Sequence, residues 1–350
     1  MRKVRWGVIG ISGIAQRRTV PEMVEASKKA ELVAVMSRSR ERAEKYGKKF
    51  GAKYWYTSVE ELLSNPEVEA VYIATPNHLH REQVIMAARA GKHVLCEKPL
   101  GRTVQECEEM IEECRRNDVK LGVALMMRFH GLHRKIKELI DNGMIGKPVL
   151  ARAQLTCWYP KIEGAWRQIP ELGGGGSLID MGSHCIDLLE TLLSTKVKEV
   201  SAFQDTLVQD YEVEDTSAVL LRFENGAIGM VDNCFNIPDR ASQNRLEIYG
   251  SEGSILAEGS IGQEPTGKGF LYRYPQEAYE SEQKRVVEEV GAQEIKYEPI
   301  KMYAAEIDYF SECILQDREP EISGEVGLWN MKIISACYES ARTKKVIEVI

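Results

Sequence analysis

The chain has 350 residues, 43% of them hydrophobic and 28% charged, with a formal net charge of −7. That length exceeds the usual single-domain range, so two domains with separate cores are expected in an ordinary soluble globular protein. The mild acidity leaves no electrostatic footprint for nucleic acid, and no apolar run approaches a membrane span, so neither is an expected partner. In chain order, strand and helix patterns alternate through about residue 125. They run Val4–Ile9, a polar helix reaching Lys29, Leu32–Met36, Glu41–Phe50, Val68–Ala74, His80–Ala90, His93–Cys96, Thr103–Asn117 and Leu121–Ala124. Such alternation predicts an α/β Rossmann domain on a doubly wound parallel sheet over residues 1–125. Thr103 with Glu106 gives a capping signal for the helix that follows them.

Beyond Arg128 the texture changes. A helix over His133 to Asn142 precedes period-2 strands at Val149–Trp158, Val197–Asp205, Ser217–Phe223, Ala227–Asn233 and Arg245–Tyr249, with turns at Asn225-Gly226 and Gly250-Ser251. Residues 126–350 therefore read as an α+β domain with a large, mainly antiparallel open sheet for substrate binding and oligomerisation. Its last helices, Met302–Leu315 and Glu325–Thr343, are expected to pack back on the junction, and Gly259–Gly269 reads as a mobile loop. Eight cysteines show no CxxC pair, and the N-terminus passes from Met1-Arg2-Lys3 straight into a strand pattern. Reduced thiols and a cytoplasmic location are expected.

Three stretches at strand ends carry the chemistry. "GVIGISGIA" places Gly10, Ile11, Ser12, Gly13 and Ile14 between the first strand and first helix. The dinucleotide fingerprint G-x-G-x-x-G/A would fall on positions 10, 12 and 15, where serine replaces the middle glycine, so a plain glycine turn stays open as a reading. At the end of the second strand, "VMSRSRER" offers Ser37, Arg38 and Arg42 where an acid would hold a ribose 2′-hydroxyl. Hydroxyl and guanidinium groups suit a 2′-phosphate, which favours NADP over NAD, against the plainer reading of a solvated basic face. Thr75, Pro76, Asn77 and His80 leave the next strand, where ligands of open α/β sheets bind, although His78 or His80 alone reads as a structural, helix-capping residue.

In "LCEKPLG" Glu97 and Lys98 end a buried strand and Pro99 turns the chain. In "WRQIPELGGGGSLIDMGSHCIDLL" four glycines precede a helix on which Asp180, His184 and Asp187 share a face, which presents His184 as a general acid/base with Asp180 as its orienter or a substrate ligand. A surface ion-pair stripe is the competing reading. No metal site is expected, because Cys96, His184 and Asp180 lack zinc-ligand spacing.

Together with "YGSEGSI" and the closing "GEVGLWNMKIISACYESARTKKVIEV", these segments make the chain resemble the glucose-fructose oxidoreductase/inositol dehydrogenase/MocA (Gfo/Idh/MocA) family nearly end to end. Within it, "GISGIA" and "MSRSRER" look most like the NADP-using 1,5-anhydro-D-fructose reductases. The resemblance implies hydride transfer between a nicotinamide cofactor, NADP with NAD possible, and a hydroxyl or carbonyl carbon of a sugar, anhydrosugar or cyclitol. It makes Lys98, Asp180 and His184 the catalytic positions, has Lys98 also contact the nicotinamide, and has Glu97 position cofactor ribose or amide. Trp166 and Arg167 match a "WR" pair near the nicotinamide, with Tyr303 a further candidate there. "ALMMRFHG" lacks the Asn or Gln of many relatives before Arg128, which leaves that arginine's role open. A homo-oligomer, dimer or tetramer, through the second sheet is also implied. A catalytically silent NAD(P)- or sugar-sensing regulator of the same fold is the alternative, and the presence together of Lys98, Asp180 and His184 argues against it.

Overall fold

A computed structural model of the protein describes residues 2–11, 13–273 and 291–350. Ser12, expected to meet a pyrophosphate, lies outside the described residues.

The first half forms a six-stranded parallel sheet in the order β3-β2-β1-β4-β5-β6. The strands are β1 (Val4–Ile9), β2 (Ala30–Met36), β3 (Tyr54–Tyr56), β4 (Ala70–Ile73), β5 (His93–Glu97) and β6 (Leu121–Ala124). Helices α1 (Val20–Ala26), α2 (Arg40–Phe50), α3 (Val59–Leu63), α4 (His80–Arg89) and α5 (Val104–Arg116) connect them. Helices cover both faces, so β1 and β4 are almost wholly apolar and buried rather than alternating. Local chemistry sets the ends of the helices. Ser39 caps α2 by accepting from the Arg42 amide at 3.3 Å, and Gly51 closes it at φ 72°. Thr103 caps α5 by accepting from the Glu106 amide at 3.1 Å, while the Glu106 carboxylate reaches the Arg102 amide at 2.7 Å. The strand order reverses between β1 and β4, which opens a crevice at their carboxyl ends.

After α6 (Gly131–Asp141) the chain builds a nine-stranded sheet in the order β14-β13-β12-β11-β7-β10-β9-β8-β15. Its strands are β7 (Pro148–Thr156), β8 (Val197–Asp205), β9 (Thr216–Phe223), β10 (Ile228–Cys234), β11 (Leu246–Gly250), β12 (Gly253–Glu258), β13 (Lys268–Arg273), β14 (Gln293–Glu294) and β15 (Ile347–Glu348). Pairing is antiparallel except between the central neighbours β7 and β10, which run parallel. The short α7 (Pro170–Gly173) and α8 (Ser183–Leu193) lie between β7 and β8, and α9 (Met302–Leu315) and α10 (Gly324–Thr343) follow the sheet.

α9 returns to the first domain. Trp6 of β1 donates its indole N–H to Ser311 at 3.0 Å, and Asp308 accepts from the amides of Lys28 and Lys29 at the entry to β2. α10 packs on both α5 and β8 and so bridges the two sheets. The segment read as a mobile loop runs as a tight crossing from Gly259 to Gly267 that leads into β13 at Lys268. Buried Ile261 anchors it.

Candidate active site

The carboxyl ends of β1, β2, β4 and β5, together with the start of α8, line one cavity of about 1400 Å³. On its first-domain side Gly10 follows β1 at φ 90°, where a Cβ would lie 2.7 Å from Thr75 Cγ2 and 2.9 Å from the Ala74 carbonyl oxygen. Only glycine fits there. Gly13, at φ 46°, has nothing within 4 Å of a would-be Cβ, so its backbone faces open space. That bare backbone at a helix start is the cradle a pyrophosphate requires. Ile11 is buried in the core and contributes main chain alone, while Ile14 is half-buried at the cavity wall.

Ser37 accepts from the Ser39 amide at 3.3 Å, which folds the β2–α2 turn so that Arg38 and Arg42 both line the cavity. Arg42 stacks over the Tyr46 ring at 5.4 Å, whereas Arg38 is exposed and makes no ion pair among the described residues. The residues present therefore fit a nicotinamide dinucleotide, with cationic donors where its adenosine ribose would end.

After β4, Thr75 donates its hydroxyl to Gln83 Oε1 at 2.6 Å and Pro76 lines the cavity. Two expected ligands have internal tasks. Asn77 donates its amide to the Gly173 carbonyl at 2.8 Å, tying the two domains together. His80 is buried with its ring nitrogens 3.0 Å from the carbonyl oxygens of Pro99 and Thr75, so it joins the β4 and β5 turns and has no polar atom to offer a ligand.

On the opposite wall, Lys98 and the segment before α8 meet. The Lys98–Pro99 peptide is cis. Lys98 Nζ donates to the Asp180 main-chain oxygen and, at 3.0 Å, to its Oδ1. Arg167, whose guanidinium lies 4.2 Å over the Trp166 ring, reaches the same Oδ1 at 3.5 Å. Burial alone would raise the Asp180 carboxyl, but the charges of Lys98 and Arg167 outweigh it and hold the group well below the usual carboxylate range.

Of the two tasks expected of Asp180, orienting His184 or meeting substrate, the structure does not show the first: its carboxylate binds Lys98. The reason is a wide π-turn over Leu178–Gly182, which carries Asp180 toward the end of β5. Buried His184 follows in the first turn of α8, with no partner for Nδ1 among the described residues. Burial first, and then the Lys98 charge, push its pKa well down, so the imidazole is neutral. Nor does Asp187 share that face's task. It binds Arg128 through both oxygens, with Nε at 3.0 Å from Oδ2 and 3.2 Å from Oδ1, which pins α8 to the interdomain connection.

Sequence reasoning missed the groups that hold this wall. Glu214 accepts from the amides of Gly176 and Leu178 through its carboxylate and from Ser177 through its main-chain oxygen, each at 2.9 Å. Tyr338 of α10 donates to the same carboxylate at 2.9 Å. The glycine run follows from this crowding: a Cβ at Gly175 would collide with the Tyr338 hydroxyl, and one at Gly176 with the Glu214 backbone. Glu214 sits 36 to 38 residues from these amides, and nothing local in its own surroundings marks it.

Behind Lys98 lies a layer of buried acids. Tyr72 donates to Glu97 and exchanges a hydrogen bond with Thr19 at 2.9 Å. Glu22 accepts from the amides of Tyr303 and Ala304 at 3.0 and 3.2 Å. Burial raises Glu97, despite opposing Tyr72 and Lys98, and burial with the nearby Glu97 charge raises Glu306 further. The Tyr303 hydroxyl has no partner among the described residues, and Tyr303 lines the cavity.

The arrangement juxtaposes a bare anion cradle, a fixed ammonium and a neutral imidazole in one cleft, the elements of proton and hydride exchange at a carbinol carbon. Comparison with known proteins agrees. Residues 4–125 match the oxidoreductase family with an NAD-binding Rossmann fold, and residues 133–256 match the GFO/IDH/MocA C-terminal domain. The chain is 33% identical over 346 residues to the 1,5-anhydro-D-fructose reductase of Ensifer adhaerens, covering 99% of this chain and 98% of that one. It is 29% identical over 344 residues to the D-xylose 1-dehydrogenase (NADP(+)) 2 of Haloferax volcanii, covering 98% and 99%. A crystal structure of the aldose-aldose oxidoreductase from Caulobacter crescentus, complexed with glycerol, superposes with a TM-score of 0.87 at 28% identity, over 99% of this chain and 100% of that one. Matched in both halves by its domains, and over nearly its whole length by a member, the chain belongs to the Gfo/Idh/MocA family of NAD-binding oxidoreductases.

Proposed function

We propose that this chain is an NADP-preferring oxidoreductase acting on a carbinol or carbonyl carbon of a sugar, anhydrosugar or cyclitol. The observation that carries it is the convergence of Lys98, Asp180 and His184 on the cavity that Gly10, Ile11, Gly13 and Ile14 also line. The nucleotide, when bound, supplies or accepts the hydride. In the oxidative direction the neutral His184 takes the substrate hydroxyl proton, and in reduction it returns it. Lys98, held by Asp180, stabilises the oxygen's developing negative charge, and Trp166 and Arg167 close the cleft around it.

The preference for NADP rests on Arg38 and Arg42 at the cavity wall and on the absence of an acid in the β2–α2 turn before Glu41. Gly10, Ile11, Ser12, Gly13, Ile14, Ser37, Thr75 and Pro76 complete the proposed cofactor site by residue type and position. Relatives named for an anhydrosugar and for xylose support the substrate class. The test is a panel of sugars, anhydrosugars and inositols with NADP and NAD, read at the nicotinamide absorbance. Turnover with none of them sinks the reading.

The chain is further proposed to form a homo-oligomer through the outer face of its second sheet, where Phe203 is 78% and Leu220 51% exposed beside Ile228 and Met230. Light scattering of wild type and Phe203→Asp tests this: an unchanged mass in the variant removes the proposal. Eight unpaired cysteines, most of them buried, fit a reducing cytoplasm.

A further inference from the structure

The crossing between β12 and β13 reaches out of the second domain and into the first. Its base is fixed. His133 Nε2 lies 3.2 Å from Ser260 Oγ, His130 Nε2 lies 3.0 Å from the Thr266 carbonyl, and Tyr297 donates its hydroxyl to the Gly267 carbonyl at 2.9 Å. The His130 and His133 rings lie tilted to one another with centroids 4.5 Å apart, and Ile261 of the crossing is buried. Gly259 at φ 64° and Gly267 at φ 121° make the two sharp turns, and a Cβ at Gly267 would collide with Ser260.

The tip is held differently. Gly262, Gln263 and Glu264 line the same cavity as Gly10, Gly13 and Arg17. Glu264 pairs with Arg18 on the helical turn that follows the glycine cradle, 246 residues away and in the other domain. The two side chains are 53% and 31% exposed, so water reaches this tether. Arg18 Nε is buried with no partner among the described residues, and Glu264 accepts from Nη2. The crossing is thus a strap with a rigid base and a tip secured by one solvent-accessible ion pair.

We propose that Gly262–Glu264 forms the outer wall of the cofactor site and that the Arg18–Glu264 pair latches it across the domains, so that the nucleotide leaves after this pair parts. The proposal rests on the chain binding a nicotinamide nucleotide. Dissociation of bound NADPH and of bound NADH, displaced by excess NADP or NAD and followed by nucleotide fluorescence, tests it in the full chain. Glu264→Gln is expected to raise the dissociation rate about two- to five-fold, the scale of a partly exposed ion pair. The wild-type rate rises with ionic strength more steeply than the Glu264→Gln rate, because salt screens the phosphate contacts in both but the Arg18–Glu264 pair only in wild type. The swap Arg18→Glu with Glu264→Arg restores both the slow rate and its salt dependence, which a merely structural role for either residue would not do. A Glu264→Gln rate equal to wild type at every salt concentration overturns the latch while leaving the oxidoreductase reading in place. Failure of wild type to bind either nucleotide overturns both.

Discussion

On the first-domain side of the cleft, the residues proposed for the cofactor come in short runs at strand ends: Gly10, Ile11, Gly13 and Ile14, then Ser37 to Arg42, then Thr75 and Pro76. Backbone conformation within each run shapes it, as with the φ of Gly10 and the Ser37–Ser39–Arg42 turn. On the other side, Asp180 and His184 are held from far along the chain: by Lys98, 82 residues away, by Glu214 from the edge of β9, by Tyr338 from α10, and by the Arg128–Asp187 pair at the start of α8's second turn. One wall is therefore a local motif, tolerant of change elsewhere. The other is a tertiary assembly that a distant substitution can disarm.

Removing the chemistry gives the sharpest test of that division. Lys98→Ala or His184→Ala is expected to lower turnover by about 10²- to 10⁴-fold while the first-domain wall still binds nucleotide, measured by fluorescence titration. Loss of nucleotide binding in step with turnover would show the two walls to be one unit. Glu214→Gln is next. It keeps one acceptor oxygen and turns an amide N–H toward the backbone amide of either Gly176 or Leu178, so a loss of about 1–3 kcal/mol in thermal or denaturant unfolding is expected, with a fall in kcat larger than any change in nucleotide affinity. A weakened nucleotide complex at unchanged kcat would contradict the assignment of Glu214 to the catalytic wall.

Arg38→Ala acts on the local side. It is expected to weaken NADPH on the order of ten-fold and to leave NADH nearly unaffected, with kcat at saturating NADPH preserved. Equal loss for both nucleotides would remove the 2′-phosphate argument. The smallest effect is on stability against pH. Burial raises the Glu306 carboxyl in the fold, whereas in the unfolded chain it ionises in the ordinary carboxylate range. Its contribution to stability is then complete below the unfolded pKa and declines as pH rises toward the folded value. Glu306→Gln, with nothing to ionise, should flatten the loss of stability on going from mildly acidic to alkaline buffer, read by melting temperature. Parallel curves for variant and wild type would mean that the carboxyl is not protonated in the fold.

Much of the architecture was legible in the chain. Long buried strands and amphipathic helices announce themselves by period, which is why β1, β2, α2, α5, α9 and α10 fell close to their expected limits. β3, α3, β14 and β15 did not, because elements of two to five residues repeat either pattern too few times to stand out, and the short strands are fixed by the neighbour they pair with. At Gly259–Gly269 the sequence showed the glycine bends but not the packing that fixes their base. Glycine marks a bend, but whether the bend swings free depends on what packs beneath it, here His130, His133 and Ile261.

The sequence by itself determined the parallel first domain, the glycine cradle, the absence of an acid where a ribose hydroxyl would be bound, and the identity of the lysine, aspartate and histidine that meet in the cleft. The first three are properties of neighbouring residues, backbone freedom at Gly10, hydrophobic period in the strands and charge type at Arg38, while the last came from the motifs that carry the family resemblance. The tertiary structure alone decided which groups those residues face. It gave Asp180 to Lys98 rather than to His184, gave Asp187 to Arg128, tied Asn77 and His80 into the scaffold, and set Glu214 under the glycine run. Hydrogen bonds and ion pairs act over about 3 Å of space whatever the separation along the chain, and only folding brings residues 98 and 180, or 176 and 214, within that range.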